Sequence, residues 1–142
     1  MILKGSQRSG GQQLASHLLK AENEHVDLFE MRGFLSDDLH SAFAEIHALA
    51  KSTNCKQYLF SLSLNPPQME EAETKDFVNA ADQIEQKLGL ADQPRAIVFH
   101  EKEGRRHAHV VWSRIDADEL KAINLPFYKR KLNDVAKDLF LE

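Results

Sequence analysis

The sequence predicts a single domain of the α+β class, and three observations support this assignment. Segments with the two-residue alternation of strands take turns with segments whose apolar residues recur at helical spacing. Two strand-like segments in the last third of the chain flank a short glycine-containing turn, which indicates a hairpin. At 142 residues, of which 42% are hydrophobic, the chain is long enough to bury one core.

The N-terminal half contains two predicted strands and two predicted helices. Residues 2–5 form a short apolar strand, and residues 6–11 form a polar, glycine-containing turn. Leucines at helical spacing predict a helix over residues 12–20, and alternation of apolar and polar side chains predicts a strand over residues 25–33. Ser36-Asp37-Asp38 then supplies N-cap chemistry to an amphipathic helix that ends at Ala50.

The C-terminal half contains three predicted strands and two predicted helices. The strand over residues 57–64 stops before Pro66-Pro67, because proline cannot donate a ladder hydrogen bond. An apolar stripe predicts a helix over residues 69–88 with Gly89 as its C-cap. The remaining elements are strands at 95–102 and 107–116, joined by the turn Glu103-Gly104-Arg105, and a helix at 126–141. The order is β-α-β-α-β-α-β-β-α.

Composition and charge exclude several classes of protein. No apolar run approaches the roughly 20 residues that span a bilayer, and the N-terminus lacks the apolar region of a signal peptide, so we expect a cytoplasmic protein without membrane insertion. The single cysteine cannot form an internal disulfide. The net charge of −4 is not typical of nucleic-acid binding, but basic residues cluster at 102–106, at 129–131 and at Lys4 and Arg8.

Three of the seven histidines form the pattern His-x6-His-x-His. His107 and His109 lie two residues apart on a predicted strand, so their imidazoles point to the same face. His100 lies near the end of the preceding strand. A five-residue loop would turn His100 away from the other two, whereas a loop of even length or a β-bulge places it opposite them. We therefore predict an even or bulged connection and a three-histidine metal site.

The predicted site has the ligand set of a catalytic centre. Three neutral imidazoles leave positions open on a divalent ion, which can polarise a phosphoryl oxygen and offset charge that develops during an in-line displacement. Arg105 and Arg106 adjoin the histidines and are candidates to hold phosphates, as are Lys4 and Arg8. Residues 6–11 lack the Gly-Lys-Ser/Thr of a nucleotide-binding P-loop, so ATP binding is not expected.

The segment from Phe99-His100 to His107-Ala108-His109-Val110-Val111 resembles the histidine motif of mobilisation relaxases of the VirD2/MobA type, within the wider HUH endonucleases. Gly10-Gly11 before a helix and the strand end Ser61-Leu62-Ser63-Leu64-Asn65-Pro66-Pro67 agree with the same family. The resemblance implies a five-stranded antiparallel sheet flanked by helices that binds single-stranded DNA at a transfer origin. It also implies nicking of one strand through a covalent 5′-phosphate intermediate that can be rejoined.

The sequence departs from the family at the nucleophile. The family's usual tyrosine on or near the first helix is missing, since the two tyrosines are Tyr58, inside a strand, and Tyr128, near the last helix. His17 occupies the expected place. Because an imidazole can form a phosphoramidate, His17 is the candidate nucleophile. A protein without cleavage activity, with His17 as an ordinary helix-face residue, remains the alternative.

A second departure concerns the acidic residue that the family often has two positions after the first histidine. Lys102 stands there, flanked by Glu101 and Glu103, which are candidates to orient an imidazole or accept a proton. For the metal we expect manganese or magnesium, with zinc as the alternative. Two other functions stay open, namely a non-catalytic single-stranded DNA-binding module and an unrelated three-histidine metal hydrolase.

The sequence also leads to expectations about the extent of the domain and its partners. We expect residues 1–142 to form one nuclease domain. Its apolar tail lacks a turn signal, which suggests the N-terminal part of a longer protein. The resemblance also implies accessory relaxosome proteins and a type IV secretion coupling protein as partners.

Overall fold

The computed structural model describes residues 1–20, 25–67 and 72–141, with the backbone alone for residues 140 and 141. The strands are β1 (Ile2–Arg8), β2 (His25–Arg32), β3 (Leu59–Asn65), β4 (Arg95–Lys102), β5 (Arg105–Ser113), β6 (Ile115–Asp116) and β7 (Lys121–Ala122). The helices are α1 (Gly11–Leu18), α2 (Leu39–Ala50), α3 (Thr74–Leu88) and α4 (Tyr128–Leu141). Within these ranges, no helix is long and apolar enough to cross a membrane.

Five strands form one antiparallel sheet in the order β1-β3-β5-β4-β2, which places β5 at its centre. The predicted α+β class and five-stranded antiparallel sheet are therefore confirmed. β6 and β7 form a separate two-stranded ribbon that the sequence analysis did not predict. The predicted strand at 107–116 is wrong in this respect, because it is broken at Arg114, and Ile115 and Asp116 pair with β7 instead.

Each face of the sheet is covered by helices and carries its own core. One face packs against α1 and α2, through a cluster that includes Leu14, Phe43, Val98 and Val111. The other packs against α3 and α4, through a larger cluster that includes Phe77, Ile84, Trp112 and Leu132. Because successive residues of a strand point to opposite faces, β5 contributes its even-numbered side chains to the second core and its odd-numbered ones to the first. His107 and His109 thus lie on the face of α1 and α2.

Helix ends follow the sequence signals. The Asp38 side chain accepts a hydrogen bond of 2.8 Å from the backbone N–H of Ser41, which confirms the predicted N-cap of α2. Gly89 ends α3 in the left-handed conformation with φ of 77°, as predicted for its C-cap. α3 begins at Thr74; residues 68–71, which include the predicted start of this helix, lie outside the described part of the chain.

A buried ion network joins β2, β4 and α3 on the side away from the histidines. The Arg95 guanidinium, 3% exposed, donates to Glu30 at 2.7 Å, to Asp82 at 2.8 Å and to Glu85 at 2.7 Å. Arg32 pairs with the same Glu85 at 3.0 Å. A buried charge is tolerated only with such partners, so this network fixes how α3 lies on the sheet.

Candidate active site

The histidine site is organised by the tight turn between β4 and β5. Its two residues, Glu103 and Gly104, both have positive φ, of 55° and 75°, which is the conformation that two-residue hairpins favour. Lys102 pairs with Arg105 across this turn, and His100 consequently lies directly opposite His107. The predicted even-length connection is confirmed. Arg105 belongs to β5 rather than to the turn, which corrects the predicted three-residue turn.

The three imidazoles converge on one face of the hairpin. One ring nitrogen from each of His100, His107 and His109 can be chosen so that all three lie within 4.8 Å of one another. Their ring centroids are 4.6 to 5.3 Å apart. His100 is buried, and the other two are half-buried. A single divalent ion has ligand bonds of about 2 Å, so modest rotamer adjustment would bring three nitrogens onto it.

Helix α1 fixes the orientation of His100. The Nε2 of His100 lies 2.6 Å from the backbone carbonyl oxygen of Leu18, at the end of that helix. Because a carbonyl oxygen can only accept, Nε2 must carry the hydrogen, and the neutral ring then has its free lone pair on Nδ1. In metal-binding histidines, a hydrogen bond from the ring nitrogen that does not bind the metal fixes the tautomer and the plane of the ring.

Burial keeps the imidazoles neutral. It lowers the pKa of His109 to about 3, with further contributions from the neighbouring charges of His100, His107 and His17. It also lowers the pKa of His107, which is additionally affected by His100 and Arg105. The pKa of His100 is lowered by burial as well, against the opposing effect of its hydrogen bond to Leu18. Near pH 7 all three rings therefore present lone pairs, which is the state that a metal requires.

His17 lies next to this cluster. It projects from α1 and lines, together with His109, a surface depression of about 270 Å³. Lys4 and Arg8 of β1 line the same depression, as do the serines at 61 and 63 of β3. Arg105 shares the histidine face of β5 and donates to the carbonyl oxygen of Pro66 at 3.3 Å. The depression thus combines imidazoles, hydroxyls and cations, and within the residues that line it there is no carboxylate.

Comparison with known families gives one result. The family model for the MobA/VirD2-like relaxases, nuclease domain, matches residues 16–142. The chain belongs to this family. No curated protein and no solved structure matches it. Membership supports DNA nicking in mobilisation, binding of single-stranded DNA at an origin and dependence on a metal. The matched region contains His17 and the whole histidine hairpin of this relaxase domain.

Three of the predicted site residues are not brought to the histidines. Glu101 pairs with Arg106 and points to the opposite face of the sheet, because it neighbours His100 in the strand. Glu103 is exposed at the tip of the turn. Arg106 lies with its guanidinium 3.9 Å from the centroid of the Phe99 ring, on the α3 side. The alternation of β4 and β5 that aligns the histidines excludes both strand residues, Glu101 and Arg106, from their face.

Neither tyrosine occupies the nucleophile position of the relaxase domain. The Tyr58 hydroxyl accepts a hydrogen bond of 3.1 Å from the N–H of Gly11, and its ring stacks on His47. Tyr128 packs edge-on against Phe60 in the core on the other face. Of the three α1 residues that line the depression, Leu14, His17 and Leu18, only His17 has a side chain with nucleophilic chemistry.

Ser61 and Ser63 are site residues to which the sequence analysis gave no role. They line the depression because their strand alternates hydroxyls on the histidine face with leucines in the opposite core. The alternation Ser61-Leu62-Ser63-Leu64 was the available signal. It could not show which face the serines share until β3 was paired with β5, where Ser63 lies opposite His109.

Proposed function

We propose that this relaxase domain nicks and rejoins single-stranded DNA at a transfer origin, with a divalent metal held by His100, His107 and His109 and with His17 as the nucleophile. The observation that carries the proposal is the convergence of three neutral imidazoles, one of which, His109, lines a basic depression together with His17, and the described residues that line this depression include no carboxylate. The depression offers a place for a phosphodiester, and its imidazoles can act as general bases.

The donor set fits a divalent metal. Three uncharged nitrogens from one rigid hairpin, one of them buttressed by the Leu18 carbonyl, leave further coordination positions for phosphate oxygens. When bound, the ion would polarise the scissile phosphoryl group and offset the charge that builds up on its oxygens. We expect manganese or magnesium, with zinc as the alternative.

Residues of this chain supply the nucleophile and the cations that hold the phosphates. A neutral His17 nitrogen attacks the phosphorus, and a bond from nitrogen to phosphorus forms as the bond from phosphorus to the 3′ oxygen breaks. The other ring nitrogen of His17 releases its proton, the departing 3′ oxygen takes up one proton through solvent, and His17 keeps the 5′ phosphate as a phosphoramidate. Attack by a free 3′ hydroxyl reverses these steps and rejoins the strand. Lys4, Arg8 and Arg105 hold the phosphates on either side.

The test is formation of a covalent adduct with a labelled single-stranded origin oligonucleotide in the presence of Mn²⁺ or Mg²⁺. Wild-type protein and Tyr58→Phe should form the adduct, and His17→Ala should not. His40→Ala, which removes another imidazole of the α1 and α2 layer, is the matched control and should retain it. A phosphoramidate is labile in mild acid whereas a tyrosyl phosphodiester is stable there, so acid treatment identifies the bond independently.

Each contrary outcome points to a different function. An adduct that survives His17→Ala would overturn the histidine nucleophile. Tight binding of a cognate origin without an adduct in manganese, magnesium or zinc would indicate a DNA-binding module. Strand cleavage without any covalent adduct would indicate a metal hydrolase. Accessory relaxosome proteins and a secretion coupling protein stay predictions from the family.

A further inference from the structure

A second cavity lies beyond the ends of β1 and α2, outside the histidine depression. Its volume is about 540 Å³, which is in the range of pockets that hold small ligands. Its walls come from the segment before α1, the end of α2 and the loop that leads into β3. The lining residues are Ser9, Gly10, His47, Ala50, Lys51, Thr53, Asn54, Cys55, Lys56 and Tyr58.

An aromatic platform forms one wall of this cavity. The imidazole of His47 stacks on the ring of Tyr58 with a centroid distance of 5.0 Å and an interplanar angle of 10°. Tyr58 is only 6% exposed and is anchored through its hydroxyl to the N–H of Gly11. His47 is exposed, and one face of its ring rests on this fixed support. Such a platform suits a planar, aromatic ligand.

The charge of the cavity suits an anion. Lys51 and Lys56 are exposed in its lining, and no carboxylate is among the residues that line it. This contrasts with the chain as a whole, whose net charge is −4. The hydroxyl of Ser9 and the side-chain amide of Asn54 add hydrogen-bonding groups. A nucleotide combines a planar aromatic base with an anionic phosphate, so it matches both properties of the cavity.

The cavity and the histidine depression are lined by neighbouring residues at the end of β1. Arg8 lines the depression, and the next residue, Ser9, lines the cavity; their Cα atoms are about 3.8 Å apart. Across the strand pair, Arg8 lies opposite Leu59, which directly follows Tyr58. A single strand that runs from the depression along the end of β1 would therefore reach the cavity.

We propose that this cavity is a nucleotide subsite for the same DNA strand, in which a base stacks on His47 and the adjoining phosphates contact Lys51 and Lys56. The inference rests on the proposed function, because it needs a strand bound at the histidines. Stacking on an aromatic ring is tolerant of sequence, so the subsite holds the strand without reading its bases. Its effect is to keep the strand in place beside the nucleophile.

Binding of oligo(dT) in EDTA, measured by fluorescence anisotropy, tests the subsite without cleavage. His47→Ala should weaken binding roughly five- to 100-fold. Lys51→Gln should weaken it less and lower the slope of log affinity against log salt by about one. Lys87→Gln, an exposed lysine of α3 on the far side of the sheet, is the matched control and should bind as the wild type. Equal affinities for all four proteins would overturn the subsite.

Cys55 gives a second test in the wild-type protein. It is the only cysteine, is half-buried and lines both this cavity and a neighbouring depression, so a strand bound in the cavity should slow its alkylation by a maleimide. Saturating oligo(dT) should slow alkylation at least fivefold, and thymidine monophosphate at the same concentration should slow it less. An unchanged rate with oligo(dT) overturns the proposal. Equal protection by the mononucleotide would assign the cavity to free nucleotides and overturn the proposal that it holds part of the DNA strand.

The failure of this inference is distinguishable from the failure of the nuclease proposal. A covalent adduct without protection of Cys55 refutes the subsite and leaves His17 chemistry standing. Protection of Cys55 without any adduct refutes cleavage and leaves the subsite standing. The two measurements use different residues and different readouts, so neither result depends on the other.

Discussion

Replacement of His109 by glutamine should remove much of the acid sensitivity of the metal-free domain. His109 lies on the central strand, opposite Val98 on one neighbouring strand and Ser63 on the other. Its burial is the main reason that its pKa is lowered to about 3 from an ordinary value of 6.5. Glutamine is similar in size and polar but does not titrate, so the variant isolates the proton uptake of this one side chain.

The sign follows from where each state takes up its proton. The unfolded chain protonates this histidine near pH 6.5, whereas the folded domain leaves it neutral until about pH 3. The contribution of His109 to the free energy of unfolding is therefore present in full above pH 6.5. It is lost progressively as the pH drops from 6.5 to about 3. Each pH unit removes about 1.4 kcal/mol, so the two units from 6.5 to 4.5 remove about 3 kcal/mol. Domains of this size are stable by only about 5–15 kcal/mol, so the effect is large.

Urea unfolding in EDTA between pH 4.5 and 7.5 measures this difference. The stability of the wild type should fall more steeply with acid than that of His109→Gln. His25→Gln, which changes an exposed imidazole outside the cluster, is the matched control and should follow the wild-type curve. Parallel curves for wild type and His109→Gln, within about 0.5 kcal/mol, would refute the argument from burial. Saturating Mn²⁺ at pH 7 should stabilise the wild type and leave His109→Gln nearly unchanged.

Three further substitutions test the fold around the site. Arg95→Met leaves the buried Glu85 with one cation fewer, so the free energy of unfolding measured in urea should fall by about 3 kcal/mol. A loss below about 1 kcal/mol would show that Glu85 needs only its other partners. Glu103→Asn places a residue that tolerates positive φ at the hairpin turn, so the melting temperature should rise and adduct formation should persist; loss of the adduct would make Glu103 catalytic. Arg106→Ala removes the guanidinium from the Phe99 ring, so stability should fall by about 1 kcal/mol while the affinity for oligo(dT) changes less than twofold; a larger fall in affinity would place Arg106 on the DNA.

Much of the fold could be predicted because strand and helix periods are local. The leucine spacing in α1, the N-cap at Asp38 and the C-cap at Gly89 are each set by residues within a few positions of one another. The prediction failed where pairing with a distant strand determines whether a segment forms a strand or a turn. Residues Ser6, Gln7 and Arg8 are polar enough to suggest a turn, yet they continue β1 because Ser61, Phe60 and Leu59 of β3 pair with them.

The candidate site could likewise be predicted only in part. Spacing put His107 and His109 on one face, and the requirement that His100 join them fixed the parity of the loop. Parity alone could not choose between a β-bulge and the two-residue turn that the structure has, since that choice depends on Glu103 and Gly104 both adopting positive φ. Alternation also carries Glu101 and Arg106 to the far face, because each directly adjoins a histidine of the site in its strand; for Arg106 this follows only once β5 is known to begin at Arg105.

By itself, the sequence determined the order of the four helices and of the five strands of the main sheet, the facing histidines and the resemblance to relaxases, because each depends on residues close together in the chain. Only the tertiary structure decided which side chains surround the cluster. His17 is 92 positions before His109, and it lines the same depression because α1 packs over the sheet. The ion network around Arg95 and the cavity at His47 likewise join segments that no local pattern relates, since burial and charge pairing act through space.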